Sequence, residues 1–425
     1  MIIEHTDIER TNGEENEKKT PIEKIMDYLN LRYVFRRNVL TSNIECKEID
    51  QVEYRILDDS ILNSIWVKMQ VDGFKYSPTF IGRILNSDFI ADYNPITAYF
   101  ESLPMLSDDK DYISMLADTI TVQDIKVNDV ALRKLWKPYF KKWLVASVAT
   151  CLGLGINHTC LILVGNQGSG KTTWLNKLCP AEMKKYLVCS HINPSLTDQT
   201  TANYLAEKWF VNIDDQLETI FGKDFNSMKA IITAPSVTNR KTWHKFSKTR
   251  PRVCSFMGSV NEPKFLTDTE NRRYLVFSAE KINYTHEVDM NKVWAQALQL
   301  VKENYPYWFS SEEMKQLNKA NQVYRQQSIE EEYLIRMFKP CKPDNPKARF
   351  LMPSELLTLL NAHSGMRLSL KKLSRAMKVC GYGEPISKRL KDIGARKVYP
   401  VLEISESEQN NIQQEYRNDF KLDNK

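Results

Sequence analysis

Residues 165–172 have residue types and a spacing that suit the binding of a polyphosphate. They read GNQGSGKT and fit the pattern G-x-x-x-x-G-K-[ST] in full. The apolar run before them predicts a buried strand, and the residues after them predict the start of a helix. Glycines at this turn let consecutive backbone N–H groups point at a phosphate. We therefore expect Lys171 to reach the β- and γ-phosphates of ATP, and Thr172 to ligate Mg²⁺. The residues expected to line the nucleotide site are Gly165, Asn166, Gln167, Gly168, Ser169, Gly170, Lys171, Thr172 and Thr173.

An acidic pair about forty residues later fits the same chemistry. Residues 209–213 read WFVNI and predict an apolar strand, which Asp214 and Asp215 follow directly. One carboxylate is expected to hold Mg²⁺ and the other to polarise the attacking water. We assign Asp214 to the metal and Asp215 to the water, although the reverse order and a plain solvated turn remain open.

Polar residues after a third apolar strand complete the candidate catalytic set. Asn261 follows residues 252–260 and is expected to orient the lytic water or to sense the γ-phosphate; its alternative role is to start a turn. Arg272 and Arg273 come next, and one of them is expected to stabilise phosphate charge in its own subunit or across an interface. The alternative is a surface basic pair.

A basic segment with interleaved aromatic residues lies between the acidic pair and Asn261. Residues 237–252 contain no acidic residue, and cations beside aromatic faces are what single-stranded nucleic acid requires. The alternative is a solvated loop that binds nothing. The residues predicted to bind DNA are Arg240, Lys241, Trp243, His244, Lys245 and Lys248.

Short β-rich runs alternate with helical stretches between residues 159 and 278, a pattern typical of an α/β layer with a parallel sheet. Residues 132–152 are expected to form a helix with an aromatic face. A mixed N-terminal region precedes this core. The predicted divisions are a disordered tail at 1–20, the N-terminal region at 21–130, an ATPase core at 131–335, a linker at 336–349, a C-terminal unit at 350–405 and a polar tail at 406–425.

The C-terminal unit has the pattern of a winged helix-turn-helix. Two short helices are predicted there, followed by a β-rich end, and the second helix carries cations between its apolar positions. We expect Lys371, Lys372 and Arg375 to contact DNA. A small helical cap on the core is the alternative.

The composition limits the classes of protein to which this chain can belong. The 425 residues are 42% hydrophobic and 26% charged with a formal charge of +6, which excludes wholesale disorder but does not by itself indicate nucleic acid. No apolar run is long enough to span a bilayer, no secretion signal begins the sequence, and the eight cysteines are scattered. We expect a cytoplasmic protein with reduced thiols and no membrane contact.

Taken together, GNQGSGKT, VNIDD and residues 228–277 resemble the virulence-associated protein E-like P-loop family. That family is related to the superfamily 3 helicases of the AAA+ class, found in phages and mobile elements. The resemblance covers about residues 90–280. One departure is the Asp-Asp pair, since relatives often carry Glu at this acidic position.

The resemblance implies a ring-forming DNA helicase that needs ATP and Mg²⁺. By similarity, Asn261 is the sensor, Arg272 or Arg273 is the arginine finger, and residues 237–250 are a hairpin that projects DNA-binding residues into a central channel. It implies an AAA+-like P-loop NTPase core, a parallel sheet flanked by helices. Many relatives carry a primase module. The sequence before residue 130 has no combination of acidic residues and histidine that would serve as a primase site, so we expect priming to need a separate chain.

The sequence therefore predicts a Mg-ATP-dependent DNA helicase or translocase, active as a homo-hexamer in the replication of a phage or mobile genetic element. The alternative is an ATP-dependent initiator or regulator that binds DNA without unwinding it. A third class, a small-molecule P-loop kinase, fits the basic segment at 237–252 poorly.

Overall fold

The N-terminal part of the chain folds around a small sheet. In this computed structural model, the described residues are 19–127, 130–214, 216–219, 223–240, 246–268, 271–390 and 393–405. The first elements are α1 (Pro21–Arg32), β1 (Tyr33–Asn38), β2 (Ile44–Glu48), β3 (Arg55–Ile56), α2 (Asp59–Val71), α3 (Pro78–Leu85) and β4 (Asp92–Tyr93). The strands form a sheet in the order β3-β2-β1-β4, with β4 parallel to β1.

The middle of the chain is an α/β layer. Its elements are α4 (Pro95–Glu101), α5 (Tyr112–Ala117), β5 (Ile120–Val122), β6 (Lys126–Val127), β7 (Val130–Ala131), α6 (Leu132–Cys151), β8 (Cys160–Val164), α7 (Lys171–Lys177), β9 (Leu187–Cys189), α8 (Gln199–Glu207), β10 (Phe210–Asn212), α9 (Gln216–Thr219), α10 (Lys223–Thr233), β11 (Ser236–Asn239), β12 (Lys248–Pro251), β13 (Ser255–Val260), β14 (Tyr274–Ile282), α11 (Met290–Lys302) and α12 (Ser311–Ala320), with 3₁₀ turns at Ala181–Tyr186 and Asn321–Tyr324.

Six strands form the main sheet in the order β5-β14-β8-β13-β10-β9. The five from β14 to β9 are mutually parallel, and β5 joins the edge antiparallel to β14. The predicted parallel sheet is thus confirmed. The edge strands β5 and β9, only three residues each, escape prediction because so short a run carries no periodic signal.

The sheet is buried on both faces, as parallel sheets are. Along β8, Leu161 and Leu163 pack into one hydrophobic cluster, whereas Cys160, Ile162 and Val164 pack into another. Successive side chains of a strand point to opposite faces, so the two clusters are the two layers beside the sheet.

Helix α6 supports the first of these layers with the aromatic face expected from its spacing. Trp136, Tyr139, Phe140, Trp143 and Leu144 are each exposed by 3% or less. The rings of Phe140 and Trp174 lie 5.7 Å apart, so α6 packs against α7, the helix that follows the glycine-rich loop. Burial of this aromatic face fixes the helix that carries Lys171.

The C-terminal part folds around its own hydrophobic cluster. Its elements are α13 (Ile329–Met337), β15 (Phe338–Pro340), β16 (Arg349–Leu351), α14 (Pro353–Ser364), α15 (Leu370–Val379), β17 (Ile386–Leu390) and β18 (Gly394–Glu403). Strands β15, β16 and β17 all pair antiparallel with β18. The segment 336–349, expected to be a linker, starts in the last two residues of α13, includes β15 and ends at the first residue of β16. Within the described ranges, no helix combines the length and hydrophobicity that a bilayer crossing requires.

Candidate functional site

The glycine-rich loop joins the end of β8 to the start of α7. Gly168 and Gly170 have φ angles of 78° and 85°, which side chains other than glycine rarely adopt. Gly165 donates its N–H to the carbonyl oxygen of Val260 over 3.2 Å, and a Cβ placed on it would lie 3.2 Å from the carbonyl oxygen of Ala279. The loop is therefore held between β13 and β14, and it requires glycine to fit there.

Lys171 is the first residue of α7, and its side chain folds back over the loop. Nζ donates hydrogen bonds to the carbonyl oxygens of Gly165 and Asn166 over 2.7 and 2.9 Å, and to Asn261 Oδ1 over 2.9 Å. The residue is 5% exposed. A phosphate oxygen would offer this buried ammonium a charge-assisted hydrogen bond, which is stronger than a bond to a neutral carbonyl or amide oxygen.

Thr172, Asp214 and Ser259 form a compact oxygen cluster beside Lys171. The Thr172 hydroxyl donates to Asp214 Oδ1 over 2.9 Å and lies 3.2 Å from the Ser259 hydroxyl, which also donates to Asp214 Oδ1. Asp214 comes just after β10 and Ser259 lies near the end of β13. These strands are neighbours and parallel, so their carboxyl ends bring the side chains together.

Asn261 connects this cluster to a short helix. Its side-chain oxygen accepts from Lys171, and its backbone N–H donates to Glu218 Oε1, which also accepts from the N–H of Glu262 over 3.1 Å. Glu218 lies in α9, directly after the acidic pair. The other acid of that pair, Asp215, lies outside the described residues.

The site fits a Mg-bound triphosphate on its own geometry. The Ser169 hydroxyl oxygen is buried, and no residue in the described part of the chain hydrogen-bonds to it, as a loop that awaits ligand oxygens requires. Thr172 and Asp214 supply the hard oxygen ligands that Mg²⁺ takes alongside phosphate. No three His, Cys, Asp or Glu side chains converge as a metal site anywhere in the described ranges. Asn166, Gln167 and Thr173 are exposed beside the loop.

Arg272 and Arg273 lie at the amino ends of the parallel strands, whereas this loop lies at their carboxyl ends. They precede β14, whose Tyr274 pairs with Cys160 at the start of β8, while the loop follows Val164 at its end. The five residues of β8 place these two ends of the strands about 15 Å apart. Arg272 is exposed and Arg273 is half-buried. Neither arginine is brought to the phosphate loop of its own chain.

The basic segment is built on a two-stranded hairpin. Strands β11 and β12 pair antiparallel from Ser236 opposite Pro251 to Asn239 opposite Lys248. Arg240 and Lys248 are exposed, and Phe246 is 82% exposed. The remaining residues predicted to bind DNA, Lys241, Trp243, His244 and Lys245, lie outside the described residues.

Two further cations of this segment have structural partners. Arg250 is 6% exposed and binds Glu207 over 2.8 Å, Asn203 over 2.7 Å and Asn239 over 3.1 Å. Arg252 is 1% exposed and donates to the carbonyl oxygens of Ile231, Ile232 and Asn157. Acidic, amide and carbonyl groups from other elements therefore neutralise or bind these two cations, which are not among the residues predicted to bind DNA.

Residues 108–326 match the protein family described as the virulence-associated protein E-like domain, which is just over half of the 425 residues. The chain belongs to that family. No curated protein matches the sequence. Two solved structures are similar, the apo structure of the NrS-1 C terminal region (305-718) and an A form apo structure of the same region. Each shares 12% identity and covers 91% of this chain and 100% of that chain, with TM-scores of 0.46 and 0.45.

The family match of this virulence-associated protein E-like chain ends two residues before α13, so the C-terminal part lies beyond it. The predicted DNA-binding residues Lys371, Lys372 and Arg375 are exposed on α15. Arg375, however, lies 3.8 Å from Asp268 of the core. Together with Lys372 it borders a cavity of about 330 Å³ between the two parts. One flank of α15 therefore faces the core, and Lys371 is not among the residues that line this cavity.

Two members of the site in this virulence-associated protein E-like chain were missed by sequence reasoning. Ser259 precedes Asn261 by two positions, so strand alternation places both on one face, a signal that was available. Glu218 had no such signal, since an acid one turn into a short helix after Asp214 is indistinguishable from a solvated residue. Only the fold shows that its carboxylate accepts the backbone N–H of Asn261.

Proposed function

We propose that this chain is a Mg-ATP-dependent DNA helicase or translocase that acts in the replication of a phage or mobile genetic element. One observation carries the proposal. Lys171, Thr172, Asp214, Ser259 and Asn261 converge at the carboxyl ends of three adjacent parallel strands, directly beside a loop in which Gly168 and Gly170 have φ angles that favour glycine. Membership of the virulence-associated protein E-like family agrees with this assignment.

The core is assigned as an AAA+-like P-loop NTPase. In its parallel part the strands run β14-β8-β13-β10-β9, so the strand before the loop lies between the last strand and the strand that carries Asn261. The acidic strand β10 is the next neighbour. This order lets one loop face both an acid and a sensor side chain, which a phosphate-cleaving site requires. The C-terminal part is assigned as a winged-helix-like unit.

Each side chain of the site has a role in ATP hydrolysis. Lys171 exchanges its carbonyl partners for the β- and γ-phosphate oxygens, and the freed loop carbonyls turn to solvent. Thr172 and Asp214 would hold Mg²⁺, which when bound would stabilise the charge of the transferring phosphoryl group. Asn261 orients the γ-phosphate end, and Asp215 accepts the proton of the attacking water.

The arginine finger acts between subunits in this proposal. Arg272 and Arg273 lie across the sheet from their own loop, so either one reaches a phosphate only in a neighbouring copy. A head-to-tail contact of this kind closes into a ring when the rotation between subunits permits it. We assign the active form as a homo-hexamer.

The β11–β12 hairpin is assigned as the DNA-binding element. Arg240, Lys248 and Phe246 are exposed, and the sequence of residues 241–245 adds Lys241, Lys245 and Trp243. Its base is anchored to α8 through Arg250, which binds Glu207. A rigid base with a cationic, aromatic tip suits single-stranded DNA, because phosphates need charge and bases need a flat face.

Two assays on the full chain test this function. We expect ATP hydrolysis that single-stranded DNA stimulates and displacement of one strand of a forked duplex, both absent in Lys171→Ala. Hydrolysis stimulated by DNA without displacement would assign the chain to the alternative class, a DNA-binding initiator or regulator switch. Hydrolysis indifferent to DNA, together with unchanged DNA binding in Arg240→Ala/Lys248→Ala, would contradict the role of the hairpin.

A further inference from the structure

Tyr284 lies directly against the glycine-rich loop, on the side away from the acids. It follows β14 by two residues, and its ring packs on Gly170 so closely that a Cβ placed on that glycine would lie 2.1 Å from Tyr284 Cδ1. The residue is 44% exposed. A large aromatic ring therefore touches the loop and keeps much of its surface open, which a residue of the hydrophobic core would not do.

The turn that carries Tyr284 is fixed to its surroundings. The N–H of Asn283 donates to the carbonyl oxygen of Thr119 over 2.8 Å, and Lys177 Nζ donates to the carbonyl oxygen of His286. Thr119 in turn accepts from Trp174 Nε1 over 2.7 Å. Since Trp174 and Lys177 both belong to α7, the turn is tied to the same helix that carries Lys171. The backbone on both sides of Tyr284 is consequently held beside the loop.

The geometry of the site favours one orientation of a bound nucleotide across the loop. Asp214, Ser259 and Asn261 lie on the β10 and β13 side of the loop, so the terminal phosphate belongs there. Gly165 approaches Ala279 of β14 on the other side. A triphosphate chain that starts at Asn261 and crosses the loop therefore leaves it on the β14 side, where Tyr284 is exposed.

We propose that Tyr284 is the residue on which the nucleobase of the bound nucleotide stacks. This inference rests on the proposed function and adds the base-binding contact to it. Every base has a π-face, so a tyrosine ring binds it without selecting a sequence or a particular base. Tyr284 thereby adds affinity for a nucleoside triphosphate over an inorganic polyphosphate chain.

Isothermal titration calorimetry of the full chain tests this with two probes, Mg-ATP and Mg-tripolyphosphate, against wild type, Tyr284→Ala and Tyr284→Phe. We expect Tyr284→Ala to weaken Mg-ATP by about 10- to 100-fold, the effect of losing one stacked base. Its affinity for Mg-tripolyphosphate should stay within about twofold of wild type, since no phosphate contact is lost. Tyr284→Phe should bind Mg-ATP as wild type does, because the ring remains.

Each contrary result has a distinct meaning. Unchanged Mg-ATP affinity in Tyr284→Ala would overturn the stacking role while the proposed function stands. Equal loss of both probes in a folded Tyr284→Ala would also overturn it, because Tyr284 would then support only the loop. If wild type binds neither probe, as expected only of Lys171→Ala, the proposed function itself fails.

Discussion

The side-chain oxygen of Asn261 lies 2.9 Å from Nζ of Lys171, which joins the end of β13 to the first residue of α7. Lys171 also holds the carbonyl oxygens of Gly165 and Asn166, so the ammonium has an oxygen on each side of the loop. In the proposed function, a phosphate that binds Lys171 releases Asn261 to face the same phosphate. This hydrogen bond would then link the residue that binds the phosphate to the residue that responds to its cleavage.

Replacement of Asn261 by Ala should separate binding from turnover. We expect kcat for ATP hydrolysis to fall by about 100-fold, the usual cost of losing a group that orients or stabilises reacting atoms. ATP affinity should change little, because Lys171 keeps its two loop carbonyls and its access to phosphate. Steady-state kinetics with a parallel binding titration gives both quantities. Asn63→Ala, on the exposed face of α2, is the matched control and should change neither kcat nor ATP affinity.

Ser259→Ala should raise the Mg²⁺ concentration needed for half-maximal hydrolysis. The Ser259 hydroxyl donates to Asp214 and lies 3.2 Å from the Thr172 hydroxyl, so it orients both expected metal ligands. Loss of such a supporting contact weakens metal binding by about 10-fold. A Mg²⁺ titration at saturating ATP measures the shift, with Ser64→Ala on exposed α2 as the control. An unshifted midpoint would remove Ser259 from the metal site.

Mixed subunits should reveal the arginine finger. Lys171→Ala lacks a working loop but keeps both arginines, whereas Arg272→Ala/Arg273→Ala keeps the loop and lacks the finger. Each alone should be inactive, and mixing them should restore part of the DNA-stimulated ATP hydrolysis, since one copy supplies the arginine to the loop of the next. If mixed oligomers form, as measured by mass photometry, and no activity returns, the finger does not act between subunits. The separate single substitutions then show which arginine matters.

Arg250 and Lys248 should behave oppositely although they are two residues apart on β12. Arg250→Ala removes the buried guanidinium that binds Glu207, Asn203 and Asn239, so we expect a loss of about 3–5 kcal/mol in the free energy of unfolding. Lys248→Ala, which is exposed, should change it by less than about 0.5 kcal/mol and should weaken binding of single-stranded DNA. Urea denaturation and fluorescence anisotropy measure the two effects. Equal stability losses would mean that Lys248 is structural too.

The His286 turn predicts a pH dependence of stability. Burial lowers the pKa of His286 from its ordinary 6.5 to about 4, helped by the nearby charge of Lys177. Below pH 6.5, His286 therefore binds a proton in the unfolded chain, whereas in the folded chain it binds this proton only near pH 4. The contribution of His286 to the free energy of unfolding is complete above pH 6.5 and is lost as the pH falls towards 4. At 1.36 kcal/mol per pKa unit, this loss is about 3 kcal/mol in total.

Urea denaturation at pH 7 and pH 4.5 tests this linkage. His286→Asn should lose less stability on acidification than wild type does, because asparagine cannot take up the proton. His363→Asn, on the exposed face of α14, is the control and should follow wild type. Identical acid losses in wild type and His286→Asn would show that other groups cause the dependence. This turn also carries Tyr284, so the same measurement bears on the proposed nucleotide site.

The sequence predicted those parts of the fold in which local pattern and burial agree. The apolar runs before Gly165, Asp214 and Asn261 are strands of one parallel sheet, and the aromatic spacing of α6 faces its core. Motif spacing likewise indicated Lys171 and Thr172, because their chemistry depends on residues near them in sequence.

What the sequence could not predict depends on contacts between distant segments. Arg250 and Arg252 look like their basic neighbours until Glu207 and the carbonyl oxygens of α10 are seen beside them. Glu218 joins the site only because a short helix turns back towards Asn261. The position of Arg272 across the sheet from Gly165 follows from strand direction and pairing, which composition does not encode.

The most direct test of the central claim is the rate of ATP hydrolysis with and without single-stranded DNA in wild type, Lys171→Ala and the surface control Lys302→Ala. The account predicts DNA-stimulated hydrolysis in wild type and Lys302→Ala and none in Lys171→Ala, with all three equally folded. Hydrolysis retained in Lys171→Ala, or absent from wild type in the presence of Mg²⁺ and DNA, would contradict it.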